Sequence, residues 1–260
     1  MKYAVFSGCS YTAGNGFELE KEEPCLWVNQ LHNKFFSHCT KLNIGQGGAS
    51  NAVIFQNTIT ALVEYPVEYI IVQWTSVPRY AFDLGFEMYS TFMHFIPNAP
   101  CRAVNTNSIN YSGEYLDSIR DRFTSLAHDC YELLNLIKYV NTIKKLSQIT
   151  RTKVFFVNGL GTWDKDFFTK KIDCLPDQYS NYTQKLLNVS NRDDGEIFQL
   201  YDKMHQGFDS AGGIHENQWL NLYSSMRRSL IDFNQDLMHP GQESNNQYVT
   251  QFSKELQRLL

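Results

Sequence analysis

Four short apolar runs constrain this chain more than any other feature: "KYAVFSG" (residues 2–8), "CTKLNIGQGG" (39–48), "PVEYIIVQW" (66–74) and "TKVFFVNGLG" (152–161). A strand with one wet face alternates apolar and polar side chains. A strand that reads apolar almost throughout is covered on both faces, as in a parallel sheet held between helical layers. Between the runs, apolar residues recur at three- and four-residue intervals, over 25–36, 50–65, 114–149, 216–231 and 243–259, with Ser50 or Asn51 able to cap the second of these segments. Strands alternating with helices predict βαβ units joined by right-handed crossovers, hence an α/β fold.

The whole chain, 1–260, reads as one domain. Two segments interrupt the alternation, at about 77–113 and 160–215, rich in proline or polar runs such as "NTNSINYSG" and "DSAGGIHEN". Neither carries a core of its own, and long insertions of this kind often serve as binding loops.

Composition excludes several classes of function. At 43% hydrophobic and 19% charged residues the chain is not a disordered one. Its formal net charge of −4, without any lysine-arginine run, offers no cationic field for nucleic acid. No segment approaches the roughly 20 apolar residues that cross a bilayer, and the N-terminus reads as a core strand rather than a signal peptide. Six cysteines are widely scattered without C-x-x-C or other metal-ligand spacing, so they read as reduced thiols of a cytoplasmic protein. Oligomeric state is not legible.

Three segments carry possible chemistry. In an open parallel sheet the ligand crevice lies beyond the carboxyl ends of the strands. "GCSYT" (8–12) places Ser10 there, as a presented nucleophile or as the cap of a following helix. "DLMHPG" (236–241) sets Asp236 three residues before His239. A serine hydroxyl needs a base to take its proton, and the base needs an acceptor to fix its tautomer, which Asp-x-x-His supplies in one short stretch. The same stretch also reads as a helix-entry turn with a surface histidine. "NIGQGGASN" (43–51) brings glycines, whose backbone N–H groups can approach a ligand, to the start of a helix, or simply makes a tight βα turn.

Taken together these segments resemble the SGNH, or GDSL-type, serine hydrolases. "GCSYT" resembles the family's first block, G-D-S-x-T; "NIGQGG" its second, N-x-G-x-x-G; and "DLMHPG" its last, D-x-x-H-P. The resemblance implies a flavodoxin-like α/β/α sandwich with a mostly parallel sheet of about five strands. It implies Ser10, His239 and Asp236 as a catalytic triad, and an oxyanion hole built from Ser10, Gly48 and the third-block position. Two residues depart from the pattern. Cys9 replaces the first-block aspartate, and the third block, normally G-x-N-D, reads "WTSV" (74–77), which puts Ser76 where the family has an asparagine. Ser76 could fill that role, or Gln73, Thr75 or Asn51 could reach in instead. Arg79, Trp74, Trp163 and Asn51 stand near strand ends as candidate substrate contacts, with core plugging the alternative for both tryptophans.

The implied activity is hydrolysis of a small acyl ester on a carbohydrate or metabolite, through an acyl-enzyme, with no cofactor and no metal. The rival is a binding protein on the same fold, its catalysis weakened by the altered third block, holding a carbohydrate or a partner.

Overall fold

The four apolar runs form the parallel strands β1 (Tyr3–Ser7), β2 (Thr40–Asn43) and β3 (Val67–Trp74), together with Lys153–Asn158. The computed structural model describes residues 1–75, 80–83, 92–95, 102–104, 129–160, 219–220, 226, 230–234, 236 and 238–260. Along the chain, α1 (Ser10–Ala13) is a single turn, and α2 (Trp27–Leu31) runs on through a wider turn to Phe36. Helix α3 spans Asn51–Glu64 and is capped by Ser50, whose hydroxyl accepts the Val53 N–H at 3.4 Å. Strands β4 (Tyr80–Asp83), β5 (Phe92–Phe95) and β6 (Arg102–Val104) follow, then α4 (Asp129–Thr150), β7 (Lys153–Asn158), β8 (Trp219–Leu220) and α5 (Gln242–Leu259).

The main sheet has the order β2-β1-β3-β7-β8 with every pairing parallel. Setting the side strands apart, this is the 2-1-3-4-5 order of a doubly wound sheet, which reverses direction between β1 and β3. Right-handed crossovers therefore put α2 on one face and α3 with α4 on the other. The aromatic residues follow this division. Phe6 of β1 meets Trp27 edge to face at 6.0 Å, and Trp27 meets Phe252 of α5 at 5.7 Å. On the opposite face Phe55 of α3 stacks on Tyr139 of α4 at 4.4 Å. Ile70, Val72, Trp74, Phe156 and Val157 lie between the layers, each fully buried.

Two expectations need correction. The segment 77–113 is more than loop, because β4, β5 and β6 pair antiparallel as a second sheet. The helix expected at 216–231 is interrupted at its start, where Trp219–Leu220 pairs with Phe156–Val157 as the edge strand. The long periodic segment 114–149 is helical from Asp129, and its first part lies outside the described residues. Cys9, Cys25 and Cys39 are free thiols. Among the described residues no helix is long and apolar enough to cross a membrane.

Phe252 has no exposed surface and packs against Trp27 and Tyr248. Phe252→Ala is expected to lower the unfolding free energy by about 3–5 kcal/mol in urea denaturation, through lost transfer energy and the cavity left behind.

Candidate functional site

Chain reversal after β1 is very tight. Gly8 sits where an added Cβ would lie 2.7 Å from Gln73 Oε1, so no larger residue fits. Ser10 begins α1, but Cys9 is the capping position and no side chain caps the turn. The N–H groups of Thr12 and Ala13 both donate to the Cys9 carbonyl, each at 3.0 Å. Thr12 Oγ1 donates to Gln73 Oε1 at 2.8 Å. Neither hydroxyl is therefore a helix cap. Ser10 is 5% exposed, and its Oγ makes one long contact, 4.0 Å to Cys9 Sγ. Among the described residues the Ser10 N–H has no hydrogen-bond partner.

Gln73 holds this turn from below. Its Oε1 accepts from the Cys9 N–H at 3.2 Å as well as from Thr12, while its Nε2 donates to the Trp74 carbonyl at 2.8 Å and to Cys9 Sγ at 3.4 Å. Both amide hydrogens are thus committed, and the residue is fully buried. Gln73 does not reach into the crevice as an oxyanion donor.

The glycine segment after β2 is explained in part by packing. Asn43 Nδ2 donates to the Thr12 carbonyl at 2.8 Å and its Oδ1 accepts the Gly45 N–H at 2.9 Å, which ties this turn to α1. A Cβ on Gly45 would meet the Ala13 backbone nitrogen at 2.7 Å, and one on Gly47 the Asn15 amide at 2.9 Å. Gly48 differs. Its φ of +77° needs glycine, nothing lies within 4 Å of where a Cβ would be, and its N–H has no hydrogen-bond partner among the described residues.

At the other end of the chain, Asp236 and His239 form one unit. Asp236 Oδ1 accepts the N–H groups of Met238 at 2.9 Å and His239 at 3.0 Å, and its Oδ2 accepts from His239 Nδ1. With Nδ1 so engaged, Nε2 is the nitrogen left for other chemistry. Burial alone would raise the Asp236 carboxyl, but the Met238 N–H, the imidazole and the His239 N–H outweigh it and hold the group below its ordinary value.

The turn is anchored on both sides. Asn234 N–H donates to the His239 carbonyl at 2.8 Å, and Phe233 and Pro240 form an antiparallel bridge. Asp232 accepts the Glu243 N–H at 2.9 Å and the Ser244 N–H at 2.7 Å, satisfying the first turn of α5. Burial would raise the Asp232 carboxyl too, yet bonds from the Ser244 side chain and from the Ser244 and Glu243 N–H groups hold it low.

The two ends of the chain converge. The ring of Tyr11, next to Ser10, meets the His239 imidazole edge to face at 6.0 Å. Gly16 lies so close to the Asp236 carboxylate that a Cβ would stand 2.8 Å from Oδ2. Trp27 links both segments, because its indole Nε1 donates to the Tyr11 carbonyl at 3.0 Å and its backbone N–H donates to Asn245 Oδ1 at 2.9 Å. Asn245 Nδ2 in turn donates to the Pro240 carbonyl at 3.3 Å and the Gly241 carbonyl at 2.8 Å.

Of the other candidates, Asn51 bonds to the backbone of Thr75: its Oδ1 accepts the Thr75 N–H at 2.9 Å and its Nδ2 donates to the Thr75 carbonyl at 3.4 Å. At 2% exposure it fixes the end of β3 to the start of α3 and is not presented as a substrate contact. Trp74 is a core plug, unexposed and stacked on Phe156 at 6.1 Å. Thr75 Oγ1 is buried without a hydrogen-bond partner among the described residues. Ser76, Arg79 and Trp163 lie outside the described residues. Trp27, Asn245 and Asp232 are site-building residues that the sequence did not single out, and Gln73, a candidate oxyanion donor there, instead holds the serine turn.

No family model matches the chain, and no curated protein matches it. Among solved structures it is similar to TesA, at 10% identity over the whole of both chains with a TM-score of 0.49. It is also similar to a member of the lipolytic protein G-D-S-L family from Veillonella parvula DSM 2008, at 12% identity over the whole of both chains with a TM-score of 0.46. A third is the psychrotrophic esterase EstA from Pseudoalteromonas sp., at 10% identity over 98% of this chain and 97% of that one, with a TM-score of 0.48.

Asn245→Ala leaves the buried Trp27 N–H without its acceptor, so it is expected to cost at least about 1–3 kcal/mol in chemical denaturation. A second outcome follows from the depressed carboxyls. Their stabilisation is complete above the unfolded value near about 4 and is lost as pH falls through the lower folded values. In thermal melts, the deficit of Asp232→Asn relative to wild type is expected to be constant at neutral pH and to shrink below about pH 4.

Proposed function

We propose that the chain is a serine hydrolase of the SGNH type that cleaves a small acyl ester, such as an acetyl group on a carbohydrate or metabolite. The observation that carries this reading is the hydrogen-bonded Asp236–His239 pair lying against Tyr11, the immediate neighbour of Ser10. Two segments more than 220 residues apart thus meet through Tyr11 and His239, which supports a shared site.

Each residue has a role in the reaction. His239 Nε2 takes the Ser10 proton as Oγ attacks the ester carbonyl, and Asp236 holds the imidazole in the tautomer with hydrogen on Nδ1 and stabilises the imidazolium. The N–H groups of Ser10 and Gly48, both without partners among the described residues, suit an oxyanion. His239 then protonates the leaving alcohol, and water repeats the cycle on the acyl-enzyme. Thr75 Oγ1 is a candidate third donor alongside Ser76.

The experiment is hydrolysis of p-nitrophenyl acetate combined with labelling by a fluorophosphonate. Wild type is expected to turn over and to label. Ser10→Ala is expected to lose labelling and to fall by at least about 10⁴ in kcat, with His239→Ala close to it because the two act as a unit. A folded wild type that neither labels nor turns over, or a Ser10→Ala variant that labels equally, sinks the proposal and favours the ligand-binding reading.

A further inference from the structure

At the amino ends of the strands, opposite the Ser10 crevice, β3 carries an irregularity. Tyr3 of β1 pairs with Val67, but the next residue, Ala4, pairs with Tyr69. Glu68 is therefore an extra residue, a β-bulge in a parallel pair, where bulges are rare and commonly serve to re-aim a side chain. The carboxylate so aimed meets the two residues that precede β2. Glu68 Oε2 lies 3.9 Å from Cys39 Sγ, and Oε1 lies 4.0 Å from His38 Nε2. One ligand atom from each of the three falls within 4.8 Å of the others. Two cations stand nearby: Lys2 Nζ is 3.1 Å from Glu68 Oε2, and Lys153 Nζ lies over the neighbouring Tyr69 ring, 5.7 Å from its centroid.

We propose that His38, Cys39 and Glu68 form a binding site for a borderline-soft divalent cation of the zinc class, with water completing the shell. Thiolate, imidazole and carboxylate together suit zinc, whereas magnesium and calcium take oxygen ligands alone. Tetrahedral zinc at bond lengths of about 2.0–2.3 Å sets its ligand atoms roughly 3.3–3.6 Å apart. The cluster needs to contract by up to about 1.5 Å to reach that geometry. Adjustable side chains can supply this: that of His38 is 56% exposed and that of Glu68 26%. Cys39, by contrast, is only 6% exposed and held by its backbone, since its N–H donates to the Phe36 carbonyl at 2.8 Å.

Two costs oppose binding. The metal must displace the Lys2 ammonium from Glu68, and it must displace the thiol proton, which burial and then the Glu68 charge favour. In return it would join the start of β2 to the bulge of β3 across β1. This assignment is independent of the hydrolase reading, because it uses none of the same residues.

The test is an anaerobic titration of the reduced full chain with cobalt(II), followed by zinc(II) competition. The expected result is one equivalent bound with a thiolate-to-cobalt charge-transfer band that zinc abolishes. Cys39→Ser is expected to lose the band while Cys25→Ser keeps it. Glu68→Gln, at a partly exposed position that spares the fold, is expected to weaken binding at least about tenfold, no less than loss of an outer-shell partner does. Lys2→Ala removes the competing charge and is expected to tighten it. Absence of the band in wild type, a band that survives Cys39→Ser, or affinity unchanged in Glu68→Gln overturns the assignment.

Discussion

The two hydrogen bonds made by Trp27 join the ends of this chain. Its indole reaches the carbonyl of Tyr11 while its backbone N–H reaches Asn245, which in turn holds the carbonyls of Pro240 and Gly241. An edge contact between Tyr11 and His239 could shift with little penalty, since aromatic pairs contribute only about 0.5–1.5 kcal/mol beyond burial. The Trp27 relay is harder to break: it is buried throughout, and each group released from it would lie in apolar surroundings without water. Relative placement of the Tyr11 and His239 segments is thus enforced by core residues. The hydrophobic packing of Trp27 between Phe6 and Phe252 supplies the stability, and the polar relay supplies the registration.

Gln73 plays the matching part beneath the serine turn. A glutamine inside an apolar strand is costly to bury unless both ends of its amide are satisfied, and here they are. Its oxygen gathers two donors from the turn, and its nitrogen is spent on Trp74 and Cys9. The glycines around it follow from that choice. Gly8 and Gly159 both leave room for the amide, and a Cβ on either would collide with it. Gly8 is therefore required by a side chain on a different strand, in addition to the sharpness of its own turn.

Features whose cause lies within a few residues were legible in the sequence. The β1, β2, β3 and β7 runs were readable because burial on both faces leaves a continuous apolar signature, and Ser50 because its cap bond spans three residues. Asp236 and His239 were readable as a pair for the same reason. The hidden features are tertiary. Nothing in "VQWT" says that Gln73 bonds 64 residues back to Cys9, and nothing near Trp27 points 218 residues ahead to Asn245. Asn51 and Trp74 are candidate ligand contacts in the sequence, with core plugging the alternative for Trp74, and their bonds and burial face inward. The strands of the second sheet are three or four residues each, too short to stand out among prolines and polar runs. The Glu68 bulge was invisible because a one-residue slip in pairing leaves no mark on a strand that is apolar on both faces.

This division also explains why the candidate residues gather where they do. In a parallel sheet every strand delivers its carboxyl end to the same side, so the turns after β1, β2 and β3 meet without long-range design of each loop. Ser10, Gly48 and Thr75 arrive there by topology alone. The Asp236–His239 turn is fastened by bonds of its own. Polar anchors are dense around it: Asp232 on the α5 N–H groups, the Phe233–Pro240 bridge, and Asn245 on two carbonyls. A side chain held to within a fraction of an ångström of its neighbours needs such bonds, and here they come from the backbone and side chains of the turn and of α5.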